Sequence, residues 1–157
     1  MTNEQQPTTG HFDGATHQLP VRVYYEDTDF TGVVYHGSYV RFLERGRTES
    51  LRLLGSNHRT LGSREDPLAF AIRSLSIEFL KPARIDDALT VRTSYEEFSG
   101  ARIFARQEIV RAEELLLRAQ VEVVCVSRDG RPKRLPVEMK DALGRAREAQ
   151  TSREKTS

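Results

Sequence analysis

The sequence from Arg22 to Arg52, RVYYEDTDFTGVVYHGSYVRFLERGRTESLR, passes from a strand-like segment through an acidic turn into an amphipathic segment. Valine and tyrosine alternate with other residues from Val21 to Tyr25, which predicts a strand. Beyond the turn, apolar residues follow one helical stripe and charged residues fill the other positions. With Gly55 as the residue that ends it, the pattern predicts a helix from Gly37 to Leu54, about 27 Å long.

The turn between the strand and the helix concentrates charge, because Glu26, Asp27 and Asp29 lie within four positions and His36 follows. Aspartate is common in turns for structural reasons, and a histidine near a helix start often caps or packs. A helix start also presents N–H groups without intrahelical partners and favours negative charge. From the residues alone, a structural and a catalytic interpretation of this turn both stay open.

The remainder of the chain is mostly strand-like. Four segments with alternating apolar and polar residues predict strands at 68–80, 88–98, 101–112 and 115–127. Short turns join the last three, which favours an antiparallel meander. A helix over 111–124 is a rival interpretation, although alternation through VEVVCV favours a strand. A short C-terminal helix is predicted after Pro136. One long helix and one antiparallel sheet predict an α+β fold in which the sheet curls around the helix.

Composition limits the class of protein. The 157 residues suit one domain, for which we predict a disordered lead at 1–16, a folded domain at 17–145 and a flexible tail at 146–157. Lys+Arg 24 against Asp+Glu 23 does not favour nucleic-acid binding. The single Cys125 allows no intrachain disulfide. We find no secretory signal and no apolar run of about 20 residues that would span a bilayer, so we expect a cytoplasmic protein.

Two segments resemble a known family. They are Arg22 to Arg52, with EDTD, Gly-Val-Val and Tyr-His before the helix, and IEFLKPARIDDALTV from Ile77 to Val91. Together they resemble the hotdog-fold acyl-CoA thioesterases of the 4-hydroxybenzoyl-CoA thioesterase type, in the YbgC-like, Tol-Pal-associated branch. Phe30-Thr31 stands where small residues are usual in that branch, which bears on pocket size.

The resemblance implies a hotdog fold in β-α-β-β-β-β order and hydrolysis of an acyl-CoA thioester to a free acid and CoA. It also implies a homodimer or homotetramer, with the active site where the loop and the helix start face the partner subunit. We expect no cofactor. We also expect no metal, because Asp27, Asp29 and His36 do not complete a ligand spacing.

Site residues follow from the resemblance and from the chemistry of thioesters. Asp29 is the candidate nucleophile or general base, and the backbone N–H of His36 is the candidate oxyanion donor. The His36 imidazole could orient Asp29 or bind the attacking water. The residues expected to contact substrate are Gly32, Val33, Tyr35 and Gly37.

Two basic clusters are candidates for binding the phosphates of CoA. Arg131 and Lys133 belong to the first, in SRDGRPKRLP, while Lys81 and Arg84 belong to the second. On the helix, Glu44 is interpreted as a surface or subunit-contact residue.

Two other functions remain open from the sequence. One is a hotdog dehydratase or hydratase acting on acyl thioesters. The other is a non-catalytic hotdog module that binds acyl groups or acyl carrier protein.

Overall fold

The structure, a computed structural model, describes residues 6–154. Six strands and three helices make up this part of the chain, and a short 3-10 turn covers Tyr25–Asp27. In chain order they are β1 (His11–Asp13), β2 (Thr16–Arg22), α1 (His36–Leu53), α2 (His58–Gly62), β3 (Leu68–Phe79), β4 (Ala88–Ser99), β5 (Arg102–Arg111), β6 (Glu114–Ser127) and α3 (Val137–Glu154).

The strands form one antiparallel sheet in the order β1-β2-β4-β5-β6-β3. β4, β5 and β6 are consecutive neighbours, so the predicted meander is confirmed. The helical alternative for 111–124 is wrong, because the segment from Glu114 forms strand pairs on both sides. The α+β hotdog architecture predicted from the sequence is therefore confirmed.

Helix α1 packs its apolar stripe against the sheet. Phe42 and Leu43 are almost completely buried at this contact. Gly46 lets the helix backbone approach the sheet closely, since a Cβ there would lie 2.7 Å from Val91 Cγ1 and 3.2 Å from Gln107 Nε2. The glycine in the stripe is thus a packing requirement of this interface.

Strand β3 forms one edge of the sheet and contains an irregularity at Arg73. Its pairing with β6 shifts register between Ile72 and Ser74. The extra residue reverses the alternation of side chains, so that even-numbered residues before the shift and odd-numbered residues after it lie opposite the same face of β6. Phe70, which precedes it, and Phe79, which follows it, consequently pair opposite residues of the buried face of β6.

The disordered lead predicted from the sequence is wrong in its second part. Residues 11–16, expected in a disordered lead, include β1 and the start of β2. Gly14 adopts φ +64°, which suits the tight turn between these strands. The fully buried His17 and the edge-on ring of Phe12, 5.2 Å away between ring centroids, fix the hairpin to the sheet. Residues 6–10 of the predicted lead form neither helix nor strand, and residues 1–5 lie outside the described residues.

The C-terminal helix is confirmed but continues further than the sequence predicts. Helix α3 extends to Glu154, so most of the predicted flexible tail at 146–157 has helical backbone. Met139 and Leu143 are buried at its start. Further along, the Arg147 guanidinium lies 4.9 Å from the centre of the Phe98 ring. Through Arg147, the helix therefore contacts the sheet beyond the predicted domain boundary at residue 145. Residues 155–157 lie outside the described residues.

No helix in the described range is both long and apolar enough to cross a bilayer.

Candidate active site

The acidic turn forms a tight hairpin that leads directly into α1. Asp29 N–H donates to the Val33 carbonyl at 2.9 Å, and Tyr35 N–H donates to the Asp27 carbonyl at 2.9 Å. Gly32 occupies the turn with φ +84°, a conformation that other residues adopt only with strain. The hairpin therefore sets Asp29 on one arm and delivers the other arm to the helix start.

The carboxylate of Asp29 is held by its neighbour Thr31. Oδ1 of Asp29 accepts hydrogen bonds from the Thr31 hydroxyl at 2.6 Å and from the Thr31 N–H at 2.8 Å. These two bonds, the hydroxyl contributing most, lower the pKa of the Asp29 carboxyl, and the charge of His36 adds to the effect. Both bonds use Oδ1, so Oδ2 is not engaged by Thr31.

Asp27 has a different role. It is 5% exposed, and its Oδ2 accepts a hydrogen bond from Tyr24 N–H at 2.8 Å. Its carbonyl also accepts from the Ser38 hydroxyl at 3.0 Å. Asp27 thus closes the strand-to-turn junction and ties it to α1, as the structural interpretation predicts for this residue.

Helix α1 begins at His36, directly after the hairpin. Its N-cap residue Tyr35 makes no side-chain capping bond, whereas Ser38 N–H donates to the Tyr35 carbonyl at 2.9 Å. The N–H groups of His36 and Gly37 belong to the first turn, where an α-helix offers no carbonyl acceptor. Both are suited to bind an oxygen that carries negative charge.

The His36 side chain is exposed and lies among aromatic rings. Its ring is edge-on to Phe79, with 5.4 Å between centroids, and to Tyr35, with 5.9 Å. The Tyr35 ring also lies beside Gly37, where an added Cβ would be 2.9 Å from Tyr35 Cε1. Gly37 therefore leaves room for an aromatic ring at the helix start.

The hairpin and helix start bring six of the predicted site residues into one region: Asp29, Gly32, Val33, Tyr35, His36 and Gly37. Sequence reasoning missed Thr31, although an aspartate that bonds the backbone two residues later is a familiar turn signal.

The two basic residues predicted for the phosphates of CoA lie elsewhere in the chain. Arg131 and Lys133 follow β6, where their backbones bond to Ser127 and Cys125. That end of β6 pairs with Leu68, at the opposite end of β3 from Phe79, which contacts His36. The pair therefore lies beside the end of β3 that is remote from His36, about 36 Å away along the twelve residues of the strand.

The second basic cluster is divided. Arg84 is exposed, and its backbone forms an isolated bridge with Val33 beside the hairpin. Lys81 forms an ion pair with Glu114 at 3.0 Å. Of the basic residues considered from the sequence, Arg84 is the one placed next to the hairpin.

Among the side chains that the structure describes, no group of three or more His, Cys, Asp or Glu is suitable for a metal ion.

Comparison with known proteins identifies the family. The Thioesterase superfamily model matches residues 31–117. The acyl-CoA thioesterase YbgC of Haemophilus influenzae is 45% identical over 80% of this chain and 92% of its own length. The acyl-CoA thioester hydrolase YbgC of Escherichia coli is 48% identical over 68% of this chain and 79% of its own length.

A solved structure agrees in fold. The probable thioesterase from Bartonella henselae is 44% identical and superposes with a TM-score of 0.75 over 77% of this chain and 99% of its own. The region that the family model matches, 31–117, contains the hairpin from Thr31 onward, α1, and β3, β4 and β5. The chain therefore belongs to the thioesterase superfamily and is a thioester hydrolase.

Proposed function

We propose that this chain hydrolyses acyl-CoA thioesters to a free carboxylic acid and CoA. The observation that carries the proposal is the hairpin that holds the Asp29 carboxylate on one arm and leads through the other into the N-terminus of α1. A thioester carbonyl between them would meet an anion on one side and N–H donors on the other. The curated relatives from Haemophilus influenzae and Escherichia coli, named for acyl-CoA thioester hydrolysis, support this substrate class.

Asp29 acts on the carbonyl carbon. The hydrogen bonds from Thr31 lower its pKa, so it is ionised at neutral pH. An ionised carboxylate can attack the carbonyl carbon directly or deprotonate a water, and direct attack is the route proposed here. In that route a carboxylate oxygen bonds to the carbonyl carbon, the C–S bond breaks, and the CoA thiolate takes a proton from water. Water then hydrolyses the mixed anhydride and regenerates Asp29.

The first turn of α1 stabilises the oxygen of the thioester. As Asp29 attacks, that oxygen becomes negative, and the N–H groups of His36 and Gly37 bind it more strongly than the neutral carbonyl. Only an interaction that strengthens in the transition state accelerates the reaction. The imidazole of His36 has a secondary place, because a thiolate leaves without an acid.

The neighbouring residues shape the entrance for substrate. Gly32 and Gly37 leave the backbone accessible, and Tyr35 and Val33 supply apolar surface. Arg84 is the candidate for the CoA phosphates supplied by the same chain. Arg131 and Lys133 contribute only if a second copy brings them to the site. If Arg84 binds the phosphates, Arg84→Glu should raise KM for acyl-CoA. A raised KM in Lys133→Glu would instead indicate that a second copy of the chain supplies the phosphate-binding residues.

An oligomer fits the exposed edge of the sheet. β3 is a long edge strand that carries half-exposed Ile72 and Phe79. Unpaired, apolar edge strands readily pair with another chain. We propose that the protein forms a homodimer or a homotetramer, which light scattering on a sizing column distinguishes. A monomer at assay concentration would contradict this proposal.

The cytoplasmic location expected from the sequence stays a prediction, which cell fractionation tests.

Hydrolysis assays on short, long and aromatic acyl-CoAs test the function. Wild-type protein should release free CoA from at least one of them, and Asp29→Asn should lower kcat by at least about 10²-fold. Glu26→Gln is the matched control, since Glu26 lies exposed on the same turn. CoA release that survives Asp29→Asn unchanged would exclude the proposed mechanism.

The same assay separates the enzyme from a binding module. If no acyl-CoA or acyl carrier protein thioester is cleaved while acyl carrier protein binds, the non-catalytic alternative is correct. If acyl carrier protein thioesters are cleaved faster than acyl-CoA, acyl carrier protein is a partner and the substrate class must be revised.

A further inference from the structure

A cavity of about 240 Å³ lies between α1 and the sheet, away from Asp29. Its walls are mainly apolar and include Val40 and Leu51 of α1, Phe70 and Ile72 of β3, and Ile103 of β5. At about 30 Å³ for an atom of the size of water, it holds roughly eight heavy atoms. The space therefore suits part of an extended apolar chain.

Some of the polar side chains that line the cavity already form hydrogen bonds to other side chains of the protein. Thr48 and His58 bond to each other, with 3.1 Å between Oγ1 and Nε2. The Tyr95 hydroxyl bonds to Ser50 at 2.5 Å. These three groups are engaged by the protein, so they leave Arg47 and Glu44 as the polar groups that could bind a ligand.

Arg47 is a half-buried cation without a close anion. Its Nη1 donates to Gln107 Oε1 at 2.9 Å. No Asp or Glu among the described residues lies within 4.0 Å of its guanidinium, to judge from the ion pairs that this part of the chain forms. A guanidinium has five N–H donors, and removing it from water without acceptors is costly. Arg47 is not among the buried polar groups without a partner in the described residues, so its other N–H groups face the water of the half-open cavity and could bind a ligand there instead.

Glu44 limits the charge of that ligand. Glu44 lines the same cavity and lies three residues before Arg47 on α1, so the two side chains are on the same side of the helix. They form no ion pair at 4.0 Å or less. A ligand carboxylate would gain from Arg47 and be repelled by Glu44. A hydroxyl group can accept from Arg47 and donate to Glu44, so a neutral hydroxyl suits this pair better.

The cavity is aligned with the proposed catalytic site. Val40, at its near edge, lies one helical turn after His36, and Glu44 lies one turn further on the same side of α1. On the opposite wall, β3 extends from Phe79, which contacts His36, to Ile72 and Phe70. An acyl chain whose carbonyl lies at His36 could follow α1 towards the cavity.

We propose that this cavity binds the far end of an acyl chain and that Arg47 and Glu44 select a terminal hydroxyl group there. The substrate class is then an ω-hydroxyacyl thioester long enough to reach the cavity from His36. This inference rests on the proposed function, because it takes the thioester carbonyl to lie at the helix start.

Binding and turnover are measured separately to test it. Calorimetry compares free ω-hydroxy fatty acids with unsubstituted fatty acids of equal length, over a series of lengths. Wild-type protein should bind the hydroxylated acid about tenfold more tightly once the chain is long enough to reach Arg47. The corresponding acyl-CoA pairs should show a similar ratio in kcat/KM. Equal affinities at every length would overturn the inference.

Three variants locate the effect. Arg47→Leu should abolish the preference for the hydroxyl. Since that change could disturb the fold through Gln107, Glu44→Gln gives a second readout: it should raise affinity for ω-carboxy acids relative to ω-hydroxy acids. Ile72→Trp should fill the cavity and lower affinity for long chains relative to short ones about tenfold, measured on protein whose oligomeric state on a sizing column matches the wild type, because Ile72 also lies on the edge strand β3.

Val137→Trp is the matched control for Ile72→Trp, because Val137 is also exposed and lies at the start of α3, away from the cavity. An unchanged chain-length profile in Ile72→Trp would place the ligand elsewhere and overturn the inference. A hydroxyl preference in binding without hydrolysis of any thioester would instead contradict only the proposed function.

Discussion

Thr31 donates two hydrogen bonds to a single oxygen of Asp29, one from its hydroxyl and one from its backbone N–H. The hydroxyl bond is the largest cause of the lowered pKa of Asp29. Thr31→Val removes it and keeps the backbone bond. If the ionised carboxylate is the reactive form, activity is lost as pH falls through its pKa. The acid limb of the kcat profile should therefore move to higher pH in Thr31→Val.

Thr28→Val is the control for this shift. The Thr28 hydroxyl donates to the Tyr25 carbonyl on the same turn and does not bond to Asp29. Its removal should leave the acid limb where it is in the wild-type protein. An identical shift in both variants would mean that general loosening of the turn, rather than the bond to Asp29, moves the profile.

Replacing the His36 side chain should cost less activity than replacing Asp29. His36→Ala removes the imidazole and its contact with Phe79 but keeps the backbone N–H in the first turn of α1. We expect kcat to fall by about tenfold, the equivalent of one hydrogen bond, as measured by CoA release. A loss as large as that in Asp29→Asn would assign the imidazole a direct part in the chemistry.

The course of the main chain could be predicted from the sequence because its periodicities are local. The strand before the acidic turn, the long helix and the meander each repeat a pattern within their own segment. The N-terminal hairpin could not be predicted in that way. Its stability depends on burying His17 against residues distant in sequence, and His11–Asp13 is too short to establish a period.

The candidate site was partly predictable for a related reason. Asp29 and His36 belong to one continuous motif, whereas the position of Arg131 depends on how β6 pairs with β3. Arg47 was also beyond sequence reasoning, since a charged residue on a helix is usually solvated. Only the packing of α1 against β4 and β5 shows that its guanidinium bonds to Gln107.

The contact at Gly46 makes a prediction about stability. In Gly46→Ala the new methyl group would lie 2.7 Å from Val91 Cγ1 and 3.0 Å from Thr93 Oγ1, which forces α1 away from the sheet. Overpacking of this kind costs about 1–3 kcal/mol of unfolding free energy, partly offset by a gain in helix propensity of about 1 kcal/mol. Urea unfolding should show a net loss.

Gly144→Ala is the matched control, because Gly144 is also helical and its nearest neighbour, Phe98, would be 3.8 Å from the new Cβ. With ordinary contact distances, only the propensity gain applies, and the protein should become more stable by up to about 1 kcal/mol. A stabilised Gly46→Ala would show that the helix–sheet contact can absorb a methyl group.

The last prediction concerns His17, which fixes the N-terminal hairpin. His17 is 0% exposed, its Nε2 bonds to the Thr9 carbonyl at 2.7 Å, and its Nδ1 is buried without a hydrogen-bond partner. Burial lowers the pKa of His17, with His11 opposing protonation and Glu49 favouring it. A proton on Nδ1 would have no acceptor, so the folded hairpin holds the neutral ring.

The pH dependence follows from this difference between the folded and unfolded chains. As pH falls through the pKa of an unperturbed histidine, about 6.5, His17 binds a proton in the unfolded chain but not in the folded chain. The free energy of unfolding therefore decreases. The Tm should drop between about pH 7 and pH 5, with faster amide exchange at residues 11–17. His17→Leu should reduce this dependence, and the exposed His11→Gln should retain it, apart from the small contribution of the His11 charge. An equal drop of Tm in His17→Leu would assign the acid sensitivity to another group, because a leucine side chain cannot take up a proton.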